Sequence, residues 1–364
     1  MRRRAFLKQT ALGAAAGGAT LAAPVFAQDA PTVAWRLASS FPNESPTLFA
    51  GAEDVARYVA EVTDGRFNIE IFPAGDLVQP GQVLEAVQHR VVDCGHTAST
   101  RYFDIDPALC FDAGVPFGLN TRQMNAWMTQ GEGLALTRVL FDKYNILNFP
   151  CGYTGAQMGG WFRGEIKTVD DLRGLKVKAG GFARHVLARQ ARRPSTSRPR
   201  KPTRRWSRRR RCGGLDRPLR RREPRPLQGG QELLLPRLVG GHLAAVAVRE
   251  PGSYDELPRP YQSALALACR MATGNMIAKY DAGNPDALRR LVARGAHLKA
   301  FPRPVLQASY EASLAAYKEM SAKDPMFKKL YESMVAFRDK EVPWFRLAEG
   351  SFDNLVATLG QPES

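Results

Sequence analysis

Cysteine and histidine are scarce in this 364-residue chain, five of each, and neither type is spaced for chemistry. Cys94, Cys110, Cys151, Cys212 and Cys269 form no C-x-x-C pair, which excludes a zinc ribbon or a redox dithiol on spacing. Their odd number demands no disulfide framework, and buried thiols are the simpler reading. H-E-x-x-H and G-x-S-x-G are both absent, which removes the zinc protease and the nucleophile elbow. No run approaches the ~18 consecutive apolar residues of a membrane span. Acidic residues are short as well, 35 against 52 Lys and Arg, a net charge of +17 that would ordinarily point to nucleic acid or an anionic surface.

The location of the charge changes that inference. Residues 191–250 hold 18 Lys and Arg against 4 Asp and Glu, and residues 1–27 hold 4 basic residues and no acidic one. The remainder is close to neutral, so the basic character belongs to two segments and not to the body of the protein. In the first of them Arg2, Arg3, Arg4, Ala5, Phe6, Leu7 and Lys8 follow the twin-arginine export pattern. An Ala/Gly-rich stretch over 10–23 leads to small residues suited to cleavage after Ala27. That stretch is too short and too weakly apolar to cross a ~30 Å hydrocarbon core. The expectation is a folded protein exported to the periplasm.

The mature part alternates strands and helices. Period-2 patterns predict strands over 33–38, 67–72, 91–97, 146–153 and 175–179. Period-3.6 patterns predict helices over 47–63, 82–88, 121–144, 259–280, 285–295, 303–322, 325–342 and 342–358. Pro302 and Pro325 suit first turns, and the Pro343–Trp344–Phe345 break is expected to start the last helix. Strand–helix alternation implies an α/β fold with a mostly parallel sheet and a helical C-terminal region. From 192 to 226 Arg and Pro dominate without any period, a composition that cannot bury enough apolar surface to offset chain entropy. Trp206 is the only aromatic among those arginines, so stacking platforms for nucleic acid are missing and no nucleic-acid partner is expected.

Three segments carry a resemblance. They are Phe72-Pro73-Ala74-Gly75-Asp76-Leu77 with Val92-Asp93-Cys94-Gly95-His96-Thr97, then Tyr153-Thr154-Gly155-Ala156-Gln157-Met158-Gly159-Gly160-Trp161-Phe162, and Asp171-Leu172-Arg173-Gly174-Leu175-Lys176-Val177-Lys178. Taken in this order they resemble the periplasmic solute-binding proteins of TRAP transporters, in the branch that binds 2-oxo acids. The resemblance covers 32–188 and 252–350. It implies a two-lobe fold with a cleft between lobes: a signal peptide over 1–27, lobe 1 over 28–151, the first part of lobe 2 over 152–190, and a helical part over 251–364 that completes both. It implies that the chain captures a small 2-oxo or 2-hydroxy carboxylate and delivers it to TRAP membrane subunits, with room for a homodimer. The alternatives are an ABC-type solute-binding protein and an Arg-rich protein that binds nucleic acid or acidic surfaces. Family members hold the carboxylate with an arginine where Lys178 stands here; lysine keeps the charge but loses the bidentate fork. Gln157 matches a glutamine that helps hold a sodium or calcium ion, a role suited to an amide oxygen. Thr97, Tyr102 and Phe117 fall where the family lines its pocket.

No catalytic role is expected. Asp93, Cys94 and His96 suggest nucleophilic chemistry by type, but alternate strand residues point to opposite faces and no third partner is evident. The family's acid-Trp-x-Gly-Pro-Tyr-Asp-Asp pattern is missing from 210–225. One coding of Asp216–Arg222, shifted by one base, reads Thr-Gly-Pro-Tyr-Asp-Asp. The segment over about 190–250 is therefore read as frameshifted.

Overall fold

The computed structural model describes residues 31–162, 164–173, 176–177, 181–192, 211–212, 232–235, 244–249 and 251–359. The export segment over 1–27, Lys178, and most of the Arg/Pro-rich stretch lie outside them.

The main sheet begins as expected. Strand β1 (Val33–Ser39) is followed by helix α1 (Pro46–Val62), β2 (Phe67–Phe72), α2 (Val83–Gln88) and β3 (Cys94–Thr97). β1 pairs in parallel with β2 on one side and β3 on the other. Helices α3 (Thr121–Gln130) and α4 (Gly133–Asp142) lead into β4 (Leu147–Tyr153). The span expected as one helix over 121–144 is two, broken at Gly131, whose extended backbone (φ −100°, ψ −161°) closes α3. The strand expected from 91 starts at Cys94, because Arg90 adopts φ +56° and Val91 N–H returns to the carbonyl of Ala86.

A strand from far along the chain completes the sheet. β9 (Ala244–Arg249) lies between β3 and β4, antiparallel to both, in the order β2-β1-β3-β9-β4. Its sequence, AAVAVR, is apolar at both parities, as a strand enclosed by two others requires. A second sheet, β10-β8-β5, joins Gly160–Phe162 (β5), Glu232–Leu235 (β8) and His297–Ala300 (β10). Lys176–Val177 (β6) pairs in parallel with Arg211–Cys212 (β7). Thus strands from within 191–250 do enter sheets. The two longer ones fall after the arginine run, where the composition has already turned apolar.

One face of the main sheet is covered by α1 and by α7 (Arg259–Ala293), through Val55, Val59, Phe67, Tyr261 and Ala272. The other buries Leu109, Trp127, Leu140, Phe182, Tyr317 and Phe327 beneath α3, α4, α5 (Gly181–Arg192), α8 (Arg303–Lys323) and α9 (Pro325–Leu359). Farther along α7, Leu291 packs with Trp161 of β5, so a single helix braces both sheets. This is the two-lobe arrangement.

Two predicted helix breaks are absent. α7 runs through Pro285 and α9 through Pro343. In each helix the carbonyl four residues earlier, on Asp281 or Asp339, belongs to an exposed residue, so water replaces the lost N–H donor and the helix continues. Among the described residues no helix is long and apolar enough to cross a membrane.

Candidate functional site

In a parallel sheet, ligands collect outside the carboxyl ends of the strands where the strand order reverses. Here the crossover from β1 goes to β2 on one side, and the next comes back to β3 on the other, so the reversal lies between β1 and β3. β4 runs in the same direction, two places further. The residues just past these three ends should therefore converge.

Those past β1 and β3 do so through side-chain hydroxyls. The Ser40 hydroxyl donates to Thr97 Oγ1, which shares a 3.0 Å hydrogen bond with the Tyr102 hydroxyl. The N–H of Leu84 donates to the same phenol at 3.1 Å. Thr97 and Tyr102 are thus hydrogen-bonded to each other, and both are fully buried. Burial raises the pKa of Tyr102, which stays a neutral hydroxyl. Arg101 Nη2 reaches the carbonyl of Ser40 at 3.4 Å, with its guanidinium 5.7 Å from the Phe41 ring. A positive charge therefore stands at the carboxyl ends of β1 and β3.

A second buried group lies beside these hydroxyls. Asp112 is fully enclosed, accepts from the Ser99 hydroxyl through Oδ1, and has no hydrogen-bond partner at Oδ2. Burial raises its pKa to about 7, the Ser99 bond opposing the rise. Tyr153, at the end of β4, is raised too, by burial and then by the Asp112 charge. His96 is the opposite case. Its Nδ1 lies 3.2 Å from the Ser39 hydroxyl, Nε2 has no partner, and burial lowers its pKa to about 3.

Gln157 sits on the loop after β4. Its Nε2 donates to Thr154 Oγ1 at 2.8 Å, which leaves the amide oxygen as a free acceptor direction. Gly155 makes the loop possible: φ is +66°, and a Cβ there would lie 3.0 Å from Asp281 Oδ1. An amide oxygen held in place, with a carboxylate beside the same loop, fits a hard cation as partial ligands. Among the described residues no group of three His, Cys, Asp or Glu could hold a metal ion by itself.

Phe117 has contacts of its own. Its ring packs edge-on against Tyr310 at 5.2 Å, its carbonyl accepts from Arg338, and its φ is +52°. The contacts thus set it against α8 and α9. The Asp93, Cys94 and His96 trio also disperses. Asp93 accepts from the backbone N–H of Arg36, the Cys94 thiol lies 3.9 Å from the Arg36 carbonyl, and His96 meets Ser39. Residue-by-residue reading missed Ser40, Arg101 and Asp112. Ser39-Ser40-Phe41-Pro42 reads as a turn, and its position at a strand end adjoining β3 is the only signal it carries.

The family described as "Bacterial extracellular solute-binding protein, family 7" matches residues 38–188. A monocarboxylate 2-oxoacid-binding periplasmic protein of Nostoc sp. (strain PCC 7120) is 36% identical over 359 residues, covering 90% of each chain. A TRAP transporter solute-binding protein of Bordetella bronchiseptica RB50, a mixed-occupancy dimer with calcium and picolinate bound, superposes with a TM-score of 0.82 at 37% identity over 90% of this chain and 98% of that one. A TRAP periplasmic solute-binding protein of Pseudoalteromonas atlantica T6c, with sodium and pyruvate bound, gives 0.79 at 28% identity over 89% and 99%. The chain belongs to this family and is a periplasmic solute-binding protein of the TRAP type.

Proposed function

We propose that this protein captures a small 2-oxo or 2-hydroxy carboxylate in the cleft past β1, β3 and β4, together with a sodium or calcium ion, and passes it to TRAP membrane subunits. The observation that carries this is the meeting of Arg101 with the Ser40–Thr97–Tyr102 hydroxyls at the carboxyl ends of β1 and β3, with Gln157 on the loop after the co-directional β4. A carboxylate leaving water must have its charge matched and its lone pairs satisfied. Arg101 and Lys178 supply charge, and Gln157 supplies an oxygen to the ion. The cation would neutralise ligand charge and bridge it to the protein. The site holds its hydroxyls as satisfied buried donors, and His96, 3.2 Å from the Ser39 hydroxyl, is enclosed and kept a weak base by burial, which supports binding without catalysis.

Arg2–Lys8 supports the twin-arginine route. A homodimer is supported by α9, whose residues from 351 to 359 are all exposed, with Leu347, Phe352, Leu355 and Leu359 each more than half exposed. A free helical end with that apolar content gains stability only by packing. The relative with picolinate is itself a dimer.

One preparation tests these points. The full chain is expressed in a bacterium, recovered from the periplasm, sized by light scattering and titrated with pyruvate with and without sodium or calcium. A companion chain has its frame shifted by one base over about codons 189–250. We expect cation-dependent binding in the repaired chain, at least about tenfold weaker binding in the chain as it stands, and a similar loss with Gln157→Ala. Lys178→Arg should tighten binding by roughly 1 kcal/mol or more. Phe352→Glu should yield monomers. Equal affinity in the two chains would mean that 190–250 does not form the ligand wall. Binding indifferent to cation and to Gln157→Ala would remove the ion from the reading. Cytoplasmic retention unchanged by Arg3→Lys with Arg4→Lys would overturn the export route, and an unchanged mass for Phe352→Glu would overturn the α9 interface.

A further inference from the structure

β4 forms one edge of the main sheet, with α4 and α7 packed against it. On one face Asn148 donates to Thr137 of α4; on the other Thr273 of α7 donates to the carbonyl of Pro150. Pro150 has no N–H to offer a further strand, which suits an edge. Between these helices lies a cavity of about 240 Å³, and α3 closes its end.

The cavity is built from three helical stripes. Arg270, Thr273, Gly274 and Ile277 share one face of α7, and Asn125, Met128 and Thr129 share one face of α3. Leu134 enters from α4, and Pro150 and Tyr153 form the floor. Arg138 lies one turn beyond Leu134 on α4, on the same face, with its guanidinium 5.3 Å from the Phe149 ring. Its Nε is buried without a hydrogen-bond partner.

Neither arginine is matched. Among the described residues no carboxylate pairs with Arg138 or Arg270, although the other arginines of α4's neighbourhood, Arg122 and Arg338, each find one. Burial, with the charge of Arg270 adding to it, lowers the pKa of Arg138. Arg270 lines the cavity and Arg138, with an orphaned buried donor, stands on α4 one turn past the lining Leu134; an unmatched cation so placed is a cost to the fold unless an anion joins it.

We infer that the cavity at the β4 edge is a second ligand site that takes a small monocarboxylate with an apolar body. The carboxylate would lie between Arg270 and Arg138, and the body against Leu134, Ile277 and Tyr153. A volume of about 240 Å³ admits a ring or branched chain with one acid group. Inorganic anions would meet the charge but leave the apolar wall uncovered. This inference does not rest on the reading of the strand-end cleft; Tyr153 is the only lining residue that also borders that cluster.

The probe is benzoate, with benzyl alcohol as the neutral isostere and sulfate as the inorganic anion, titrated into the full chain by calorimetry. Arg270 is exposed, so Arg270→Gln should fold. A Cβ added at Gly274 meets only open space, so Gly274→Leu fills the cavity while keeping both arginines. The expected result is benzoate binding in the millimolar range or tighter, weakened about tenfold by Arg270→Gln and by Arg138→Gln, abolished by Gly274→Leu, and not matched by benzyl alcohol or sulfate. Arg101→Ala should leave it unchanged. Absence of benzoate binding would overturn the proposal. So would binding unaffected by Gly274→Leu, which would mean surface attraction, or binding lost in Arg101→Ala, which would place the benzoate in the cleft.

Discussion

Replacing Asp112 by asparagine should stabilise the fold above neutral pH and make it newly sensitive to acid. In the native protein Asp112 has its pKa raised from 3.8 to about 7 by burial. The folded state therefore keeps a proton that the unfolded chain has lost between about pH 4 and about pH 7. Stability from this group is full at low pH and falls as pH rises through that window, by up to about 4 kcal/mol. His96 acts in the reverse sense. Its pKa falls from 6.5 to about 3, so the unfolded chain takes up a proton that the folded one refuses, and stability is lost as pH drops below 6.5.

From about pH 4 to about 6.5 the two slopes oppose each other, and the native protein should be nearly indifferent to pH on their account. Asp112→Asn removes one slope. At about pH 7.5 the variant should gain about 1 to 3 kcal/mol, once the unpaired amide N–H is counted. At about pH 5 it should show the uncompensated His96 loss. Urea melts at the two pH values measure this. Parallel pH profiles for the variant and the native protein would show that Asp112 does not hold its proton.

Phe327→Ala should cost about 3 to 5 kcal/mol and lower the melting temperature by roughly 6 to 10 °C. Phe327 is fully buried, with Phe111 edge-on at 5.0 Å and Phe182 and Tyr317 each at 6.3 Å. The large hole opens where α5, α8 and α9 meet. The damage should reach the ligand site, because Phe182 opens α5 directly after Gly181, at φ +53°. A Cβ on Gly181 would lie 2.9 Å from the carbonyl of Thr100. That contact sets α5 against the strand-end turn holding Arg101. Scanning calorimetry gives the first effect and pyruvate titration the second. A loss below about 1 kcal/mol would mean that the ring cluster repacks around the gap.

The first hundred residues were legible because their periods are unambiguous. Alternation over 33–38 and 67–72 and the helical spacing over 47–63 leave one arrangement for the apolar side chains. Proline misled at 343, since the rule for helix interiors presumes that the freed carbonyl is dry, and there it belongs to an exposed residue. The place of β9 was invisible because pairing across more than ninety residues leaves no trace in local pattern. Thr97, Tyr102 and Gln157 were legible as candidates only, through the family resemblance. Ser40, Arg101 and Asp112 acquire meaning only once β1 and β3 lie side by side. Phe117, named through the same resemblance, packs its ring against Tyr310, a contact that local pattern does not announce.

The insertion of β9 between β3 and β4 also bears on how the chain is made. Ribosomes deliver β3 and β4 well before residue 249 appears, and until then both strands have open edges facing each other across an empty lane. The sheet cannot close during synthesis of the first half, so folding waits on a late strand and the nascent chain spends that interval exposed to edge-to-edge association. A holdase that covers β4 until Ala244–Arg249 emerges would shield that open edge and raise the yield of native protein.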